Sequence, residues 1–430
     1  MSANNELIIE PKKSLNGTVQ VPGDKSISHR AIMLGSLADG ITRVKGFLMG
    51  DDCLSTVKCF REMGVTVEVN QDVVVVHGKG LHGLNEPEDV LDVGNSGTTI
   101  RLMTGILAGQ NFTSVVTGDS SIRKRPMGRV TKPLKEMGAT ILGRQNGELA
   151  PLTISSGNLK PVSYKTPVAS AQIKSSILLA GLFANGWTEV IEPEKSRDHS
   201  ERMLKYFGAE IEEDDLAVRI KGQPNLIAKE VQVPGDISSA AFLLVAGAIV
   251  PDSKIVVKNV GINPTRTGII DVLEEMGAKI TILENAANTG ESLGDLIVES
   301  SSLKGIKFGG QLIPRLVDEI PVIAVAAACA EGVTEIRDAA ELKVKESNRI
   351  EAICQGLQKM GVDIEELPDG LRIKGGKPIK GGVTLDSQGD HRIAMALAVA
   401  GLIADKGIII KNAEAIDVSF PGFKELLDTL

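Results

Sequence analysis

The sequence predicts an α/β protein in which repeated units of helix and strand form two similar domains. Three observations support this prediction. The chain has 430 residues, which is too long for one ordinary hydrophobic core. The tetrapeptide Val-Pro-Gly-Asp occurs twice, at 21–24 and at 233–236. A helix-like stretch that ends in glycine and continues as a strand-like run occurs five times, which indicates a repeated architecture.

The five copies end their helical stretch with Gly64, Gly138, Gly208, Gly277 and Gly361, spaced by 69 to 84 residues. A glycine suits the left-handed position that ends a helix, and the alternating residues after it are typical of a strand. A last segment that begins at Phe423 resembles a truncated sixth copy. Three such units in each half predict two αβ domains rather than an extended solenoid.

Three segments rich in small residues supply a second kind of helix for these units. They cover 170–182, 238–249 and 321–330, and they are apolar nearly all round. A helix without a polar face is normally buried. We therefore expect these helices inside the domains.

The two tetrapeptides also predict where the domains divide. If they mark equivalent places, residues 1–20 precede the first half and complete the domain that lacks a full sixth unit. We expect one domain from 1–20 plus 235–430 and another from 21–234. The chain would then cross between domains twice, and a ligand cleft is expected at this hinge.

Composition excludes several classes of protein. A net charge of −8 and 3% aromatic residues argue against a nucleic-acid binder. The four cysteines show no paired spacing and no histidine at metal-ligand spacing, so we expect buried, reduced thiols and no metal. The start of the sequence lacks the features of a signal peptide, and no run reaches the roughly 18 apolar residues of a membrane span. A cytoplasmic protein is expected.

The first tetrapeptide leads into a basic helix start. Lys25, Ser26 and Arg30 follow it, and free N–H groups with the helix dipole favour a phosphate there. A simple helix cap by Asp24 or Ser26 is the alternative. Three cations within six residues, with His29 counted as one of them, favour the anion site.

Two more basic stretches follow in the first half. Residues 94–101 combine glycines and threonines with Arg101, and residues 119–129 contain Arg123, Lys124, Arg125 and Arg129. A common glycine-rich turn from strand to helix would explain the first stretch, and a solvated run of charge would explain the second equally well. Because arginine binds carboxylates and phosphates bidentately, the functional interpretation is a site for a small dianion.

The second half contains the acids that proton transfer would need. Lys345, Glu346 and Arg349 are spaced to share one side of a predicted helix start, although a surface salt-bridge patch would look the same. Asp318 precedes an apolar run in which burial disfavours ionisation. One carboxylate beside apolar residues and another among cations would have divergent proton affinities, as an acid and base pair requires.

A fifth segment places Asp390, His391 and Arg392 at another glycine-led helix start. A single histidine is more often structural than catalytic. Five cationic helix starts, spread over both halves, nevertheless predict a highly anionic ligand.

These segments occur in an order that resembles one family. The motifs are PGDKSISHRA, GNSGTTIRL, RKRPMG, SAQIKSSILLAG, SRDHSERML, DEIP, KVKESNRI and GDHRIAM. The chain resembles the 5-enolpyruvylshikimate-3-phosphate synthases over nearly all of its length. The resemblance implies the enolpyruvyl transferase fold, which has two similar domains of three βαβαββ-type units each, is like an inverse αβ barrel, and has a ligand cleft at the hinge.

The resemblance also implies an activity. The family transfers the enolpyruvyl group of phosphoenolpyruvate to the 5-hydroxyl of shikimate 3-phosphate and releases phosphate through a tetrahedral intermediate. The reaction belongs to the shikimate pathway of aromatic amino-acid and chorismate biosynthesis. The family pattern implies a monomer that needs no cofactor and no metal, and no nucleic-acid or membrane partner.

Site residues follow by matching the motifs. The catalytic positions match Lys25, Asp318, Glu346 and His391. The shikimate 3-phosphate positions match Lys25, Ser26, Arg30, Ser170, Gln172, Arg197, Asp318 and Lys345. The phosphoenolpyruvate positions match Lys25, Asn95, Gly97, Arg125, Gln172, Glu346, Arg349 and Arg392. We expect Asp318 to act as base, Glu346 as acid and Lys25 as the stabiliser of charge on the bridging oxygen.

Two positions depart from the family pattern: Asn348, where aspartate is common, and Val418, where lysine is common. Two rival functions share part of this pattern. The transferase that acts on UDP-N-acetylglucosamine usually has Lys-Asn in place of Lys25-Ser26. It also has a cysteine that acts as the acid in the corresponding loop, whereas residues 119–129 of this chain contain no cysteine. A non-catalytic phosphoanion-binding protein would not need the pair of Asp318 and Glu346.

Overall fold

The structure is a computed structural model of the chain and describes residues 6–70, 73–155, 157–285 and 290–430. The first five residues of the expected 1–20 segment lie outside this part. The described residues form two compact units. We call 23–233 with 290–291 the N unit, and 6–22 with 234–285 and 292–430 the C unit. The described residues form six sheets, five of four strands and one of three, so the predicted repetitive α/β class is confirmed.

The chain begins with two strands of the C unit and then builds the N unit. The first two strands are β1 (Glu6–Ile9) and β2 (Asn16–Gln20). The N unit then contains α1 (Lys25–Leu37), β3 (Ile41–Lys45), α2 (Asp51–Glu62), β4 (Thr66–Val69), β5 (Val73–His77), β6 (Leu91–Asp92), α3 (Gly97–Leu107), β7 (Ser114–Thr117), α4 (Gly128–Glu136), β8 (Thr140–Gly143), α5 (Arg144–Gly147), β9 (Leu149–Ser155), β10 (Ser163–Lys165), α6 (Ala171–Gly181), β11 (Trp187–Ile191), α7 (His199–Tyr206), β12 (Ile211–Asp214), β13 (Ala217–Lys221) and β14 (Glu230–Gln232).

The rest of the chain completes the C unit. It contains α8 (Ile237–Ile249), β15 (Lys254–Gly261), α9 (Gly268–Glu275), β16 (Lys279–Asn285), β17 (Leu293–Glu299), β18 (Lys307–Phe308), α10 (Ile313–Leu316), α11 (Ile320–Cys329), β19 (Val333–Ile336), α12 (Arg349–Lys359), β20 (Asp363–Leu367), β21 (Gly370–Lys374), β22 (Thr384–Asp386), α13 (His391–Gly401), β23 (Ile408–Lys411) and α14 (Phe423–Thr429). Two short 3₁₀ turns lie near site residues: Val317–Glu319 contains Asp318, and Ala340–Val344 directly precedes Lys345.

The sheets share one plan. In the sheet β6-β7-β9-β8, the first two strands are parallel and β9 is antiparallel to both of its neighbours. This is the order expected of a βαβαββ unit. Two sheets take their first strand from a distant part of the chain, because β14 pairs in parallel with β3 and β2 pairs in parallel with β15. The three-stranded sheet pairs β1 with β23 and β22 with β23.

The five predicted helix ends are confirmed. Each of the five repeat glycines has a positive φ, between 82° and 103°, and each separates a helix from a strand. This left-handed conformation is costly for residues with a side chain and easy for glycine. The strands that follow the glycines are β4, β8, β12, β16 and β20. The truncated sixth copy is α14.

The predicted buried helices are α6, α8 and α11, and each is buried along nearly its whole length. In the N unit α3 packs against α1 and α6, and in the C unit α8, α11 and α13 contact one another. Small residues allow close packing between helices. A side chain on Gly105 would place its Cβ 2.2 Å from the carbonyl oxygen of Ser176, so α3 and α6 could not approach as they do. Each unit has its own hydrophobic core.

The four cysteines carry free thiols, as predicted, and three of them are buried. Burial raises the pKa of the Cys59 thiol to about 12, so this thiol stays protonated at neutral pH. Within the described ranges, no helix is both long and apolar enough to cross a membrane.

Candidate active site

The basic helix start of the N unit forms as predicted. Asp24 caps α1 because its Oδ1 accepts a hydrogen bond from the backbone N of Ile27 at 2.9 Å. The helix then begins at Lys25, whose Nζ lies 3.1 Å from Oδ2 of Asp52 in the first turn of α2. Asp52 was missed in the sequence, where it looks like an ordinary acidic residue at a helix N-terminus. Its carboxylate fixes the ammonium of Lys25 while leaving that side chain partly exposed.

Arg30 is a buried cation surrounded by neutral oxygens. Its Nε donates to Ser200 Oγ at 2.7 Å, its Nη2 to Ser175 Oγ at 2.9 Å and its Nη1 to the carbonyl of Ser26 at 2.9 Å. Among the described residues, no carboxylate lies within ion-pair distance of it. Burial lowers the pKa of Arg30 to about 10, which still leaves it charged at neutral pH. A buried charge without a counter-ion is costly, so the geometry favours an anionic ligand.

His29 does not contribute to this charge, which corrects the count of three cations. Its Nδ1 shares a 2.7 Å hydrogen bond with Oγ1 of Thr56, and Thr56 in turn bonds to Thr99. Complete burial, with Lys25 and Arg30 nearby, lowers the pKa of His29 to about 3. The imidazole is therefore neutral and connects α1 with α2 and α3. The sequence reveals its position but not its burial.

The second predicted anion segment lies at the start of α3, which Ser96 caps. Gly97 matters here because of space. A Cβ at this position would lie 2.9 Å from Nη1 of Arg101 and 3.1 Å from Nη1 of Arg125. The glycine thus lets two guanidinium groups reach the first turn of the helix. Arg101, which the sequence placed in this basic stretch without assigning it a substrate, also donates to Oε1 of Gln172 at 3.0 Å.

The loop before α4 is partly a site and partly a solvated surface. Arg125 donates from Nη2 to Oδ1 of Asn95 at 2.7 Å, and Asn95 donates to Asp119 at 2.7 Å. These bonds join two predicted phosphoenolpyruvate residues. Arg123 and Lys124 are exposed, so the alternative of a solvated charge run holds for these two side chains.

The remaining predicted residues of the N unit lie at the start of α6 and before α7. Ser170 occupies the N-cap position of α6 without capping it through its side chain. Gln172 faces α3, because its Nε2 donates to Oγ1 of Thr98 at 3.4 Å. Arg197 lies in the segment before α7, and its charge contributes to lowering the pKa of Arg30. These two cations therefore repel each other within one unit.

In the C unit a single arginine binds three carboxylates. Arg349 is 2% exposed, and it donates from Nε to Asp390 at 2.8 Å, from Nη1 to Asp318 at 3.2 Å and from Nη2 to Glu346 at 2.6 Å. Burial opposes its charge, but Asp390, Glu346 and Asp318 outweigh burial and raise its pKa. Arg349 therefore fixes the two predicted acid and base residues relative to each other. Asp390 was named in the sequence without a role.

The predicted helix start at 343–349 needs one correction. Helix α12 begins only at Arg349, and Lys345 and Glu346 lie before it, after a 3₁₀ turn. Asn348 caps the helix by accepting from the backbone N of Glu351, and this bond sets the boundary. Asn348 therefore performs the capping task at the first position that departs from the family pattern. Lys345 reaches Asp318 at 3.8 Å through the fold rather than along a helix face.

The fifth cationic segment begins α13. Asp390 caps this helix through a 2.9 Å bond from the backbone N of Arg392. Burial raises the pKa of Asp390, but Arg349 and His391 lower it by a larger amount, so the pKa lies below its ordinary value. Arg392 donates from Nη1 to the carbonyl of Asp318 at 3.4 Å. His391 is buried in the first turn.

The described residues thus form one cluster in each unit. The N cluster consists of Lys25, Ser26, Arg30, Asn95, Gly97, Arg101, Arg125, Ser170, Gln172 and Arg197. The C cluster consists of Asp318, Glu319, Lys345, Glu346, Arg349, Asp390, His391 and Arg392. The N cluster is suited to binding anions, and the C cluster combines cations with carboxylates that can exchange protons. Among the described residues, no group of three or more histidine, cysteine, aspartate or glutamate side chains could hold a metal ion.

Comparison with known proteins identifies the family to which this chain is similar. The family model described as EPSP synthase (3-phosphoshikimate 1-carboxyvinyltransferase) matches residues 9–427. The 3-phosphoshikimate 1-carboxyvinyltransferase of Desulforamulus reducens is 59% identical over 423 residues, which cover 98% of each chain. The protein of the same name from Bacillus subtilis is 58% identical over 418 residues, covering 97% of this chain and 98% of its own.

Solved structures show the same similarity. An EPSP synthase structure from Acinetobacter baumannii aligns with a TM-score of 0.89 at 46% identity. The alignment covers 99% of this chain and 98% of that chain.

Proposed function

Because the chain belongs to the EPSP synthase (3-phosphoshikimate 1-carboxyvinyltransferase) family, we propose that the N and C clusters carry out its reaction. The activity is that of EPSP synthase in the shikimate pathway, and its substrates are shikimate 3-phosphate and phosphoenolpyruvate. The proposal concerns which residues bind these substrates and which transfer protons.

The buried guanidinium of Arg30 carries this assignment. Its three hydrogen bonds go to neutral oxygens, so its charge is available to a phosphate dianion. We assign the phosphate of shikimate 3-phosphate to Arg30 and Ser26, which neighbour each other at the start of α1. The rest of that substrate is assigned to Lys25, Ser170, Gln172, Arg197, Asp318 and Lys345.

Phosphoenolpyruvate carries a carboxylate and a phosphate, and it needs several cations. Arg125, positioned by Asn95, and Lys25, positioned by Asp52, supply two of them from the N cluster. Gly97 keeps the start of α3 open for the ligand as well as for the arginines, and Gln172 supplies an amide. Arg349 and Arg392 supply the cations of the C cluster.

The chemistry divides between two carboxylates. Asp318 accepts the proton of the 5-hydroxyl while the oxygen of that hydroxyl forms a bond to C2 of phosphoenolpyruvate. Glu346 donates a proton to C3. Lys25 stabilises the charge on the bridging oxygen, and His391 lies next to the residues that hold the substrate. In the second step C3 returns one proton to Glu346, the bond from C2 to the phosphate oxygen breaks, and the leaving phosphate takes up the proton that Asp318 had accepted.

The bond between Arg349 and Glu346 suggests how substrate prepares the acid. All three nitrogens of Arg349 have a carboxylate partner, so a substrate carboxylate must replace one of them. Asp390 is fully buried, whereas Glu346 retains partial exposure. We infer that phosphoenolpyruvate replaces Glu346 at Nη2, which releases Glu346 to serve C3.

A phosphate-release assay that requires both substrates tests the assignment. We expect Lys25→Ala and Glu346→Gln each to lower kcat by at least about 100-fold, because each removes a group that acts in the transition state. Lys124→Ala and Glu351→Gln change exposed residues of the same types near each cluster, and they should retain normal turnover. Near-normal kcat in both Lys25→Ala and Glu346→Gln would refute the roles given to these residues.

Three broader points belong to the same proposal. We propose that the enzyme is a cytoplasmic monomer that works without a cofactor. We also propose that 21–234 and 1–20 plus 235–430 are its domains in solution. Sedimentation velocity with and without substrates tests the monomer, and limited proteolysis followed by mass spectrometry tests the boundaries.

A further inference from the structure

The second Val-Pro-Gly-Asp copy does more than cap a helix. Asp236 caps α8, since its Oδ1 accepts from the backbone N of Ser238 at 2.9 Å. By alignment of the two copies, Ser238 stands where Ser26 stands in the first copy, and Ile237 stands in place of Lys25. The second copy therefore keeps the hydroxyl of an anion-binding turn but has lost its cation.

The hydroxyl of Ser238 binds a carboxylate of the protein itself. Its Oγ donates a short hydrogen bond to Oε1 of Glu319 and accepts one from Nη2 of Arg266 at 2.7 Å. Arg266 also donates to Oδ1 of Asp236 at 3.1 Å. All four side chains are buried. The carboxylate of Glu319 thus takes the place at this turn that we assign to a substrate anion at the first copy.

Glu319 also faces a residue of the C cluster. Its Oε1 lies 3.8 Å from Nη1 of Arg392, which we assign to phosphoenolpyruvate, and its Oε2 has no hydrogen-bond partner among the described residues. The same Nη1 donates to the carbonyl of Asp318, the neighbour of Glu319 in sequence. A fully buried carboxylate with one unsatisfied oxygen is costly unless a cation offsets its charge, and Arg392 is a cation that this carboxylate faces.

We propose that Glu319 is a positioning residue that sets the guanidinium of Arg392 for phosphoenolpyruvate. This proposal rests on the function proposed above. Ser238, which Arg266 holds in place, fixes the carboxylate from one side, and the carboxylate faces Arg392 on the other side. Without the negative charge of Glu319, the guanidinium of Arg392 would have more orientations open to it. The binding of phosphoenolpyruvate would then have to restrict these orientations. Binding of shikimate 3-phosphate should change little.

Steady-state kinetics of the full chain test this role. Glu319→Gln keeps the shape and the bond from Ser238 but removes the charge. We expect KM for phosphoenolpyruvate to rise by about 10-fold, while KM for shikimate 3-phosphate stays within about 2-fold of the wild-type value. Glu335→Gln makes the same change at a carboxylate of β19 that pairs with two other arginines, Arg337 and Arg372, and should leave both KM values unchanged.

A double-mutant cycle separates positioning from a general loss of structure. If Glu319 acts through Arg392, adding Glu319→Gln to Arg392→Lys should raise KM for phosphoenolpyruvate by no more than about 2-fold beyond Arg392→Lys alone. Fully additive effects, or an equal rise of both KM values, would overturn the proposal. If Glu319→Gln does not fold, as judged by circular dichroism, Ser238→Ala takes its place. We expect the same selective rise in KM for phosphoenolpyruvate, and an unchanged KM for phosphoenolpyruvate would contradict the proposal.

The outcomes distinguish this inference from the proposed function. A wild-type protein without two-substrate phosphate release would overturn the function, and the role of Glu319 with it. An unchanged KM for phosphoenolpyruvate in Arg392→Lys would overturn the assignment of Arg392 on which the inference depends. A raised KM in Arg392→Lys together with an unchanged KM in Glu319→Gln would overturn the inference alone.

Discussion

The Nε atom of Arg30 lies 2.7 Å from the Oγ atom of Ser200, although 170 residues separate them in the chain. The hydroxyls of Ser200 and Ser175 are themselves 2.6 Å apart, and both accept from the guanidinium. Helices α6 and α7 thus hold a cation of α1 in place without neutralising it. The charge of Arg30 should favour the binding of an anionic substrate, whereas burial of that charge opposes folding. The two effects can be measured separately.

Arg30→Met should separate the two demands. We expect KM for shikimate 3-phosphate to rise by at least about 100-fold, because the phosphate loses a buried charged partner. Stability should stay within about 1 kcal/mol of wild type, because an apolar side chain replaces a buried charge to which no carboxylate is directly bonded. Urea unfolding followed by Trp187 fluorescence reports on the N unit, since Trp187 lies in β11 and is the single tryptophan of the chain.

Arg123→Met is the matched control, because Arg123 is exposed and belongs to the basic loop. It should leave KM unchanged. A large loss of stability in Arg30→Met would show that the hydrogen bonds to the two serines outweigh the cost of the buried charge.

His29 predicts a specific acid sensitivity of the N unit. Its pKa is about 3 in the folded protein and 6.5 in the reference state, so the unfolded chain binds the proton more readily. The stability that the neutral imidazole contributes is complete above pH 6.5 and is lost as pH falls from 6.5 towards 3. Between pH 6.5 and 5 this loss should amount to about 1–2 kcal/mol.

The test compares urea unfolding at pH 6.5 and at pH 5. Wild type should lose more stability over this interval than His29→Asn, in which the buried titrating group is absent. His77→Gln removes a histidine that is 39% exposed, and it should show the wild-type slope. Equal slopes for wild type and His29→Asn would contradict the prediction.

Substitutions at Lys174 and at its two carboxylate partners should have non-additive effects on the stability of the N unit. Its buried Nζ lies 2.6 Å from Glu192 and 2.7 Å from Glu201. Lys174→Met should destabilise the N unit by about 3–5 kcal/mol, because it leaves two buried carboxylates without their cation. Adding Glu192→Gln and Glu201→Gln should recover a large part of that loss, as measured by the urea midpoint of Trp187 fluorescence.

The reverse order of substitution provides the control for Lys174. Glu192→Gln alone leaves the pair of Lys174 with Glu201 and should cost less than Lys174→Met. A triple variant less stable than Lys174→Met would show that packing, rather than unpaired charge, determines the stability of this region.

The repeat made much of the fold predictable. Five glycines at helix ends, and three helices without a polar face, depend on local chain geometry, which periodicity reports directly. The position of β14 beside β3 does not follow from periodicity, because it depends on which distant strand completes a sheet. The start of α12 was placed too early, since the hydrogen bond of the Asn348 cap determines that boundary.

The site was predictable as a set of residues rather than as a set of contacts. Motifs located Lys25, Asp318 and Glu346, but they do not reveal that Asp52 pairs with Lys25. The binding of Glu319 to Ser238 joins positions 81 residues apart and leaves no local signal. The charge of His29 could not be judged without its burial, which is a property of the folded N unit.

Strand β2 pairs with β15, so it is synthesised long before its partner strand. Asn16 leaves the ribosome 238 residues before its partner Lys254. At about 5–20 residues per second, that strand waits about 10–50 s before its sheet can form. The N unit emerges in between, and its own first sheet closes only when Glu230 to Gln232 reach β3. The nascent chain must therefore keep β2 unpaired while the residues of the N unit are synthesised after it.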